Sequence, residues 1–354
     1  MTTGKRPAAR PTLKHPLPAL AIGLTPGGGG VAAKTMGGLA ARQDAARRIL
    51  AILAVLFACL GCLACSQDEP ALRVDMHNRQ ETVLPTPEAG LTYAYLPQYS
   101  HTTSYERHHR LVEYLRATTG LPLRQVFPDT FDEHVKMVAQ GQIDISFTNP
   151  FVYIKLAQQG ATSFARTIKS TGKADFHSEI ICRSDNKALK SPADCRGKRW
   201  IAVDPLSAGG YLFALAHFHD LGIHRRDFAE IAFAPGPGGK QENVVLAVLA
   251  GKYDFGTIRE GTLDILKGRI DPEQIRVLAR TRAYPEWLFA ARKGLDQSVV
   301  DKLAQAMFAL DPQNPEHAAI LGAAGLARII PASDQDCDPV RELVRKLGMD
   351  RAAP

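Results

Sequence analysis

Residues 200–218 read WIAVDPLSAGGYLFALAHF. An apolar strand runs into Asp204-Pro205, a turn of small residues follows, and an apolar helix begins at Tyr211. A turn of this kind leaves the first helical N–H groups without intrahelical partners, and the helix dipole favours an anion beside them. The same grammar also serves as an ordinary crossover turn, so the surrounding sequence has to decide between the two.

Working outward, the pattern recurs. LTYAYLP (91–97) reads as a strand, and SYERHHRLVEYLRATTG (104–120) as a helix with Tyr105, His109, Val112, Tyr114 and Leu115 along one side and Gly120 as its stop. LPLRQVF is a second strand, TFDEHVKMVAQGQ (130–142) a short amphipathic helix, and IDISFTN a third strand feeding a helix from Pro150. A second series opens with the strand HSEIICRS (177–184) and continues through SPADCRGKRWIAVD (191–204) as a short helix, a turn and a strand. The helix 211–221, the strand EIAFAP, the glycine-rich PGPGG (235–239), the helix QENVVLAVLAG and the strand KYDFGTI complete it. IRVLARTRAYPEWLFAARKG (275–294) holds two extended segments, after which helices are expected to fill the chain to about residue 348. This alternation predicts an α/β fold of two units, each a parallel sheet with crossover helices. A cleft between two such units takes ligands at the carboxyl ends of the strands.

Charge excludes one class of partner. The first 50 residues contain eight of the 43 basic residues and one of the 36 acidic ones, so they carry the entire formal +7 and the rest of the chain is balanced. A nucleic-acid footprint is therefore not expected. The basic head leads into ILAILAVLFACLGCL (49–63), which has the length of a secretory hydrophobic segment and is short for a membrane span. Ala64-Cys65-Ser66 then resembles a bacterial lipoprotein cleavage site with Cys65 as the lipidated residue, although Cys62 stands where such sites usually carry Leu. Soluble secretion after cleavage and a retained anchor helix are the alternatives. Residues 1–65 are read as leader and signal peptide, with Met36 as a possible true start, and the polar stretch 66–89 as a tether. Export places the later cysteines in an oxidising compartment, so a disulfide between Cys182 and Cys195 is expected, with Cys337 unpaired.

Catalytic signatures are lacking. No HExxH, GxSxG or Walker sequence occurs, His108 and His109 point to different sides of a helix, and His101, His177 and His224 lack metal-ligand spacing. Neither enzymatic activity, a metal nor a cofactor is expected.

Four ordered blocks now carry a resemblance: AQGQIDISFTNPFVY (139–153), residues 178–199 with SPADCRGKRW, DPLSAGGYL, and LAVLAGKYDFGT. Over residues 90–330 the chain resembles the phosphate/phosphite/phosphonate substrate-binding proteins of ABC transporters. The resemblance implies a type II, two-lobed periplasmic binding fold with two crossover strands. Lobe 1 would be 90–176 plus 283–350 and lobe 2 would be 177–282. It also implies hinge (venus-flytrap) closure around a small oxyanion in the periplasm and a cognate permease and ATPase as partners; together with the Cys65 reading, the expectation is a monomer held to the membrane by a lipid anchor. The family's Ser-Thr-Ser-Gly anion loop falls on Ser207, Ala208, Gly209 and Gly210, so two side-chain donors are missing while the amides of residues 208–211 remain. Gln241, followed by Glu242, stands where the family commonly has a ligand-binding His; Thr148 and Glu286 fall at a strand-end and an acidic crossover position.

From the residues themselves, a phosphorus oxyanion needs several N–H and O–H donors. Ser207, Thr148, Gln241, the amides through Tyr211 and the charge of Arg259 would supply them, with Tyr99 and Tyr105 covering the cleft. Glu260 and Glu286 would suit an amine on the ligand. The rival expectation is a ligand sensor of the same fold that signals to a membrane receptor.

Overall fold

The computed structural model describes residues 90–350. Met36, Cys65, the leader and the tether thus lie outside the described residues.

The first series comprises β1 (Leu91–Tyr95), α1 (His101–Thr119), β2 (Leu123–Val126), α2 (Phe131–Ala139), β3 (Ile145–Thr148), α3 (Pro150–Gln158) and β4 (Thr162–Lys169). Helix α1 starts three residues before its expected beginning because Ser100 accepts a hydrogen bond from the Thr103 amide, and Gly120, at φ 69°, ends it in the left-handed conformation. Its buried face is Ser104, His108, Leu111, Val112 and Leu115. Tyr105, expected on that face, is exposed and stacks on His109 outside. Asn149 caps α3 through the amides of Phe151 and Val152, with Pro150 at the position where a missing N–H costs nothing.

After the short β5 (Asp175–Phe176) come β6 (Ser178–Arg183), β7 (Arg199–Ala202), a π-helical turn (Ala208–Leu212) running into α4 (Phe213–Asp220), β8 (Glu230–Phe233), α5 (Lys240–Leu249), β9 (Phe255–Arg259), α6 (Thr262–Ile265) and β10 (Ile275–Arg280). The chain then returns through β11 (Tyr284–Pro285) to β12 (Leu288–Ala291), α7 (Gln297–Phe308), α8 (Pro315–Ala324), β13 (Leu326–Pro331) and α9 (Asp338–Lys346).

Two sheets result, ordered β13-β4-β12-β3-β1-β2 and β10-β6-β9-β7-β8. Both are mixed, which corrects the expectation of parallel sheets. Parallel pairing holds for β1 with β2 and β3, and for β7 with β8 and β9, where helices make the crossovers. Strands β6 and β12 enter their sheets from extended connections instead of helices, and they pair antiparallel with β9 and with β3 and β4. The two connections pair with each other, Tyr284 opposite Phe176 and Pro285 opposite Asp175. Two strands were not expected at all: β4, and β13, which interrupts the C-terminal helices after Gly325 turns at φ 73°.

A large apolar cluster fills both sides of the six-stranded sheet and includes Phe176, Leu212 and Phe213 from the segments beside it. Two smaller clusters lie about the five-stranded sheet, one around Trp200 and Phe255 and the other around Val244, Val245 and Val248.

Candidate functional site

The glycines after Ser207 are dictated by close approach. A Cβ on Gly209 would stand 2.7 Å from the Phe176 ring and 3.2 Å from Arg259 Cβ, and one on Gly210 would collide with Val203. Ser207 caps the turn by accepting from the Gly210 amide at 3.0 Å, and the Gly210 carbonyl accepts from the Thr257 hydroxyl at 2.6 Å. Thr257 in turn accepts from Trp200 Nε1 at 2.9 Å. The loop is thus tied to β7 and β9, while the amides of Ala208 and Gly209 have no acceptor among the described residues. These are the groups that a helix start offers to an anion.

Arg259 ends β9 directly against this loop. Its guanidinium lies between Phe176 and Trp287, 5.0 Å and 5.4 Å from the ring centroids, and its Nη2 donates to Glu286 Oε1 at 2.6 Å. Burial works against its charge, but Glu286 and the hydroxyls of Tyr99 and Tyr95 outweigh it, so the guanidinium's pKa stands above its ordinary value. Arg259 Nε, Trp287 Nε1 and Glu286 Oε2 are nevertheless buried without a hydrogen-bond partner. Native proteins rarely leave such groups unpaired, and three of them together mark a place prepared for something else.

Tyr99 is buried beside them, and burial raises its phenol pKa. Gln241 reaches this region through its backbone, its N–H donating to the Gln98 carbonyl at 3.3 Å. Its side-chain oxygen is spent on the Arg259 amide at 3.0 Å and on the Thr262 hydroxyl. Glu242 next to it is buried, which raises its carboxyl pKa, and its Oε2 also lacks a partner. Thr148 is fully buried at the end of β3, with only a long contact of 3.5 Å to its neighbour's carbonyl.

Further ties hold the two sheets' segments together. Asn149 Nδ2 donates to the Leu206 carbonyl, and the Gly238 amide to that of Asp129. Glu260 pairs with Lys169 of β4 and with His177 Nδ1 at 2.8 Å, so it belongs to a cluster at the crossings and not to the ligand side. Burial, helped by Lys169 and Arg280, lowers the His177 pKa. Lys240 and Asp204 form a buried pair at 2.7 Å.

The structure therefore brings Ser207, Ala208, Gly209, Gly210, Arg259, Glu286, Gln241 and Tyr99 into one region. Tyr211 turns away, its ring packing on Trp200 and Phe233 with an unpartnered hydroxyl. Tyr105 is exposed, stacked on His109 and beside Phe127. Sequence reasoning missed Phe176, Trp287, Glu242's free oxygen and Asn149; aromatic residues inside both extended connections were the available signal. Cys182 and Cys195, expected as a disulfide pair, stand as free, buried thiols in one apolar cluster with Trp200 and Phe218. No cluster of His, Cys, Asp and Glu among the described residues has a metal-binding arrangement. A groove of about 890 Å³ lined by Tyr153, Ser163, Asp334 and Arg341 lies elsewhere, against α9.

Comparison with known proteins fixes the wider assignment. The family of phosphonate ABC transporter periplasmic substrate-binding proteins matches residues 93–337. The chain belongs to this family. Its members bind substrate for transport and are not enzymes. Among curated relatives, the phosphate-import protein PhnD of Mycolicibacterium smegmatis is 26% identical over 279 residues, covering 74% of this chain and 87% of that protein. The tetrathionate sensor histidine kinase TtrS of Salmonella typhimurium is 28% identical over 188 residues, 48% of this chain and 31% of the kinase. Among solved structures, a binding-protein component of a Pseudomonas aeruginosa ABC phosphonate transporter superposes with TM-score 0.66 at 18% identity, covering 73% of this chain and 86% of that one. PhnD1 of Prochlorococcus marinus in complex with methylphosphonate gives 0.66 at 15% identity, covering 73% and 98%. These structures share the periplasmic binding-protein fold with this family member. No helix among the described residues is long and apolar enough to cross a membrane.

Proposed function

We propose that this family member captures a small phosphorus oxyanion, of phosphonate, phosphite or phosphate type, by closure of two lobes, 90–176 plus 283–350 and 177–282, and delivers it to an ABC permease and its ATPase. The observation that carries this reading is Arg259. It is buried between rings from the two connections, charged, and missing one partner, beside loop amides that are also free. Closure adds interactions only in the closed state, so ligand binding shifts the population toward it. As carboxylates, Glu286 and Glu242 each present an unpartnered acceptor oxygen, which suits a ligand carrying an O–H or N–H as well as bare oxygens. Cys65 as a lipidated anchor, a monomeric state and the membrane partners belong to the same proposal.

The test is calorimetry and thermal shift with phosphate, phosphite, methylphosphonate, 2-aminoethylphosphonate, sulfate and small carboxylates. Saturation at a hundredfold excess over Kd adds about 2.7 kcal/mol of stability. Stabilisation by a phosphorus oxyanion that is lost in Arg259→Met and weakened in Ser207→Ala is the expected result; silence toward every oxyanion refutes it. The similarity to a sensor kinase favours a second reading, a binding subunit that signals. Loss of ligand uptake in a deletion strain supports transport, and intact uptake with a lost transcriptional response supports sensing.

A further inference from the structure

The chain has two tryptophans, and they differ in one respect. Trp200 donates its indole N–H to Thr257. Trp287 is equally buried, yet its Nε1 has no partner. A buried indole N–H normally finds an acceptor, because leaving it unmade forfeits the hydrogen bond it had in water. The rest of Trp287 is fully engaged. Its amide donates to Glu286 Oε1 at 3.0 Å, and its carbonyl accepts from both the amide and the hydroxyl of Thr167. Its ring stacks on Tyr95 at 5.5 Å and packs on Phe147 at 5.2 Å, with the Arg259 guanidinium on the ring as well. The indole is held rigid with one donor left over, beside an Arg259 whose Nε is left over too.

We propose that Trp287 is a specificity-determining residue: its indole N–H and Arg259 Nε form the donor pair for the anionic end of the ligand, in place of the loop side chains absent at residues 208 and 209. This rests on the oxyanion reading above. The geometry explains why the exchange is paired. A side chain at residue 209 would occupy the space now taken by the Phe176 ring and press on Arg259 Cβ, so that ring, which carries the guanidinium at 5.0 Å, and a loop hydroxyl there exclude one another. Indole and guanidinium N–H groups only donate, so the pair favours bare anionic oxygens at this end of the ligand. Both side chains are fixed before binding, so little rotamer freedom is lost on contact.

The experiment uses the full purified protein with methylphosphonate and inorganic phosphate as probes. Trp287→Phe keeps the ring stack and removes only the N–H. One hydrogen bond to a charged group corresponds to a loss of affinity of roughly tenfold to a hundredfold, expected with the ligand-free melting temperature unchanged or raised. A purely structural tryptophan gives the reverse, a lowered ligand-free melting temperature and unaltered affinity, and that result overturns the proposal. A second measurement needs no variant. The ¹H–¹⁵N spectrum holds two indole resonances, and ligand should move the Trp287 signal while leaving that of Trp200 in place. If the wild-type protein binds a probe and neither indole moves, the proposal fails alone. If it binds neither these probes nor any other oxyanion of the panel above, the oxyanion reading fails and takes this inference with it.

Discussion

Gly209→Ala tests whether the loop has been rebuilt around its neighbours. Gly209 is helical, outside the left-handed region that only glycine favours. On backbone grounds alone, alanine should therefore stabilise the protein by roughly 0.4–1 kcal/mol through the unfolded chain. The structure predicts the opposite sign. The new Cβ would stand 2.7 Å from the Phe176 ring and 3.2 Å from Arg259 Cβ. Neither can retreat easily, because Phe176 is fully buried, packs on Phe213 at 5.1 Å and carries the Arg259 guanidinium on its other contact. Overpacking of this kind costs roughly 1–3 kcal/mol, which exceeds the backbone gain over most of its range. The net loss should be about 1–2 kcal/mol, read as a drop in urea midpoint at constant m. A double-mutant cycle with Phe176→Leu should recover part of it, since the two sites share the contact. A Gly209→Ala protein as stable as the wild type, or one whose loss adds independently to that of Phe176→Leu, would refute the claim that the Phe176 ring fills the place of a loop side chain.

Other expectations follow from buried groups. His134 is wholly buried, hydrogen-bonded to Ser146 at 2.6 Å, and burial lowers its pKa from 6.5 to about 3. Its neutral form is the folded one, so its contribution is complete above pH 6.5 and is lost at about 1.4 kcal/mol per pH unit as pH falls from 6.5 toward 3. His134→Gln should flatten the stability profile between pH 6 and 4 by one proton, as read by urea unfolding at each pH. Thr257→Val breaks the relay from Trp200 to Gly210 and strands a buried indole N–H, costing roughly 1–3 kcal/mol; no change in urea midpoint would show that the relay does not hold the loop. Alkylation in denaturant without reductant should label Cys182, Cys195 and Cys337, while the native protein reacts slowly because burial raises the Cys195 and Cys337 thiol pKa, that of Cys337 to about 12. Recovery of a Cys182–Cys195 peptide by mass spectrometry would contradict the free thiols.

The sequence was most readable where local rules and tertiary packing agree. Pro150 after Asn149, Gly120 after α1 and the small residues at 207–210 each announce a helix boundary, and the boundaries fall there. Strand direction was not readable, because β6 and β12 differ from parallel strands only in how the chain arrives at them. Strand β13 carries Arg328 on an edge with buried positions three apart, which does not alternate as a half-buried strand should. At the site, Ser207, Arg259 and Glu286 were visible as residue types in a plausible order. Phe176 and Trp287 were not, since an aromatic residue in an extended segment reads as packing until its partner is known. Gln241 shows the converse. Its side chain looks like a ligand donor in sequence, and the fold spends its oxygen on the Arg259 amide.

The order of strands in the six-stranded sheet also constrains when it can form. Strands β3 and β4 never touch; β12 lies between them, pairing Phe289 with Phe147 on one side and with Ala165 on the other. That central strand arrives more than a hundred residues after β4, with the whole five-stranded sheet intervening. Until residue 291 is available one side of β3 has no partner and β4 cannot join the sheet. Closing that gap requires contacts of long sequence separation, which fold slowly. A chain truncated before β12 is therefore expected to leave this sheet unfinished, whatever its first half contributes.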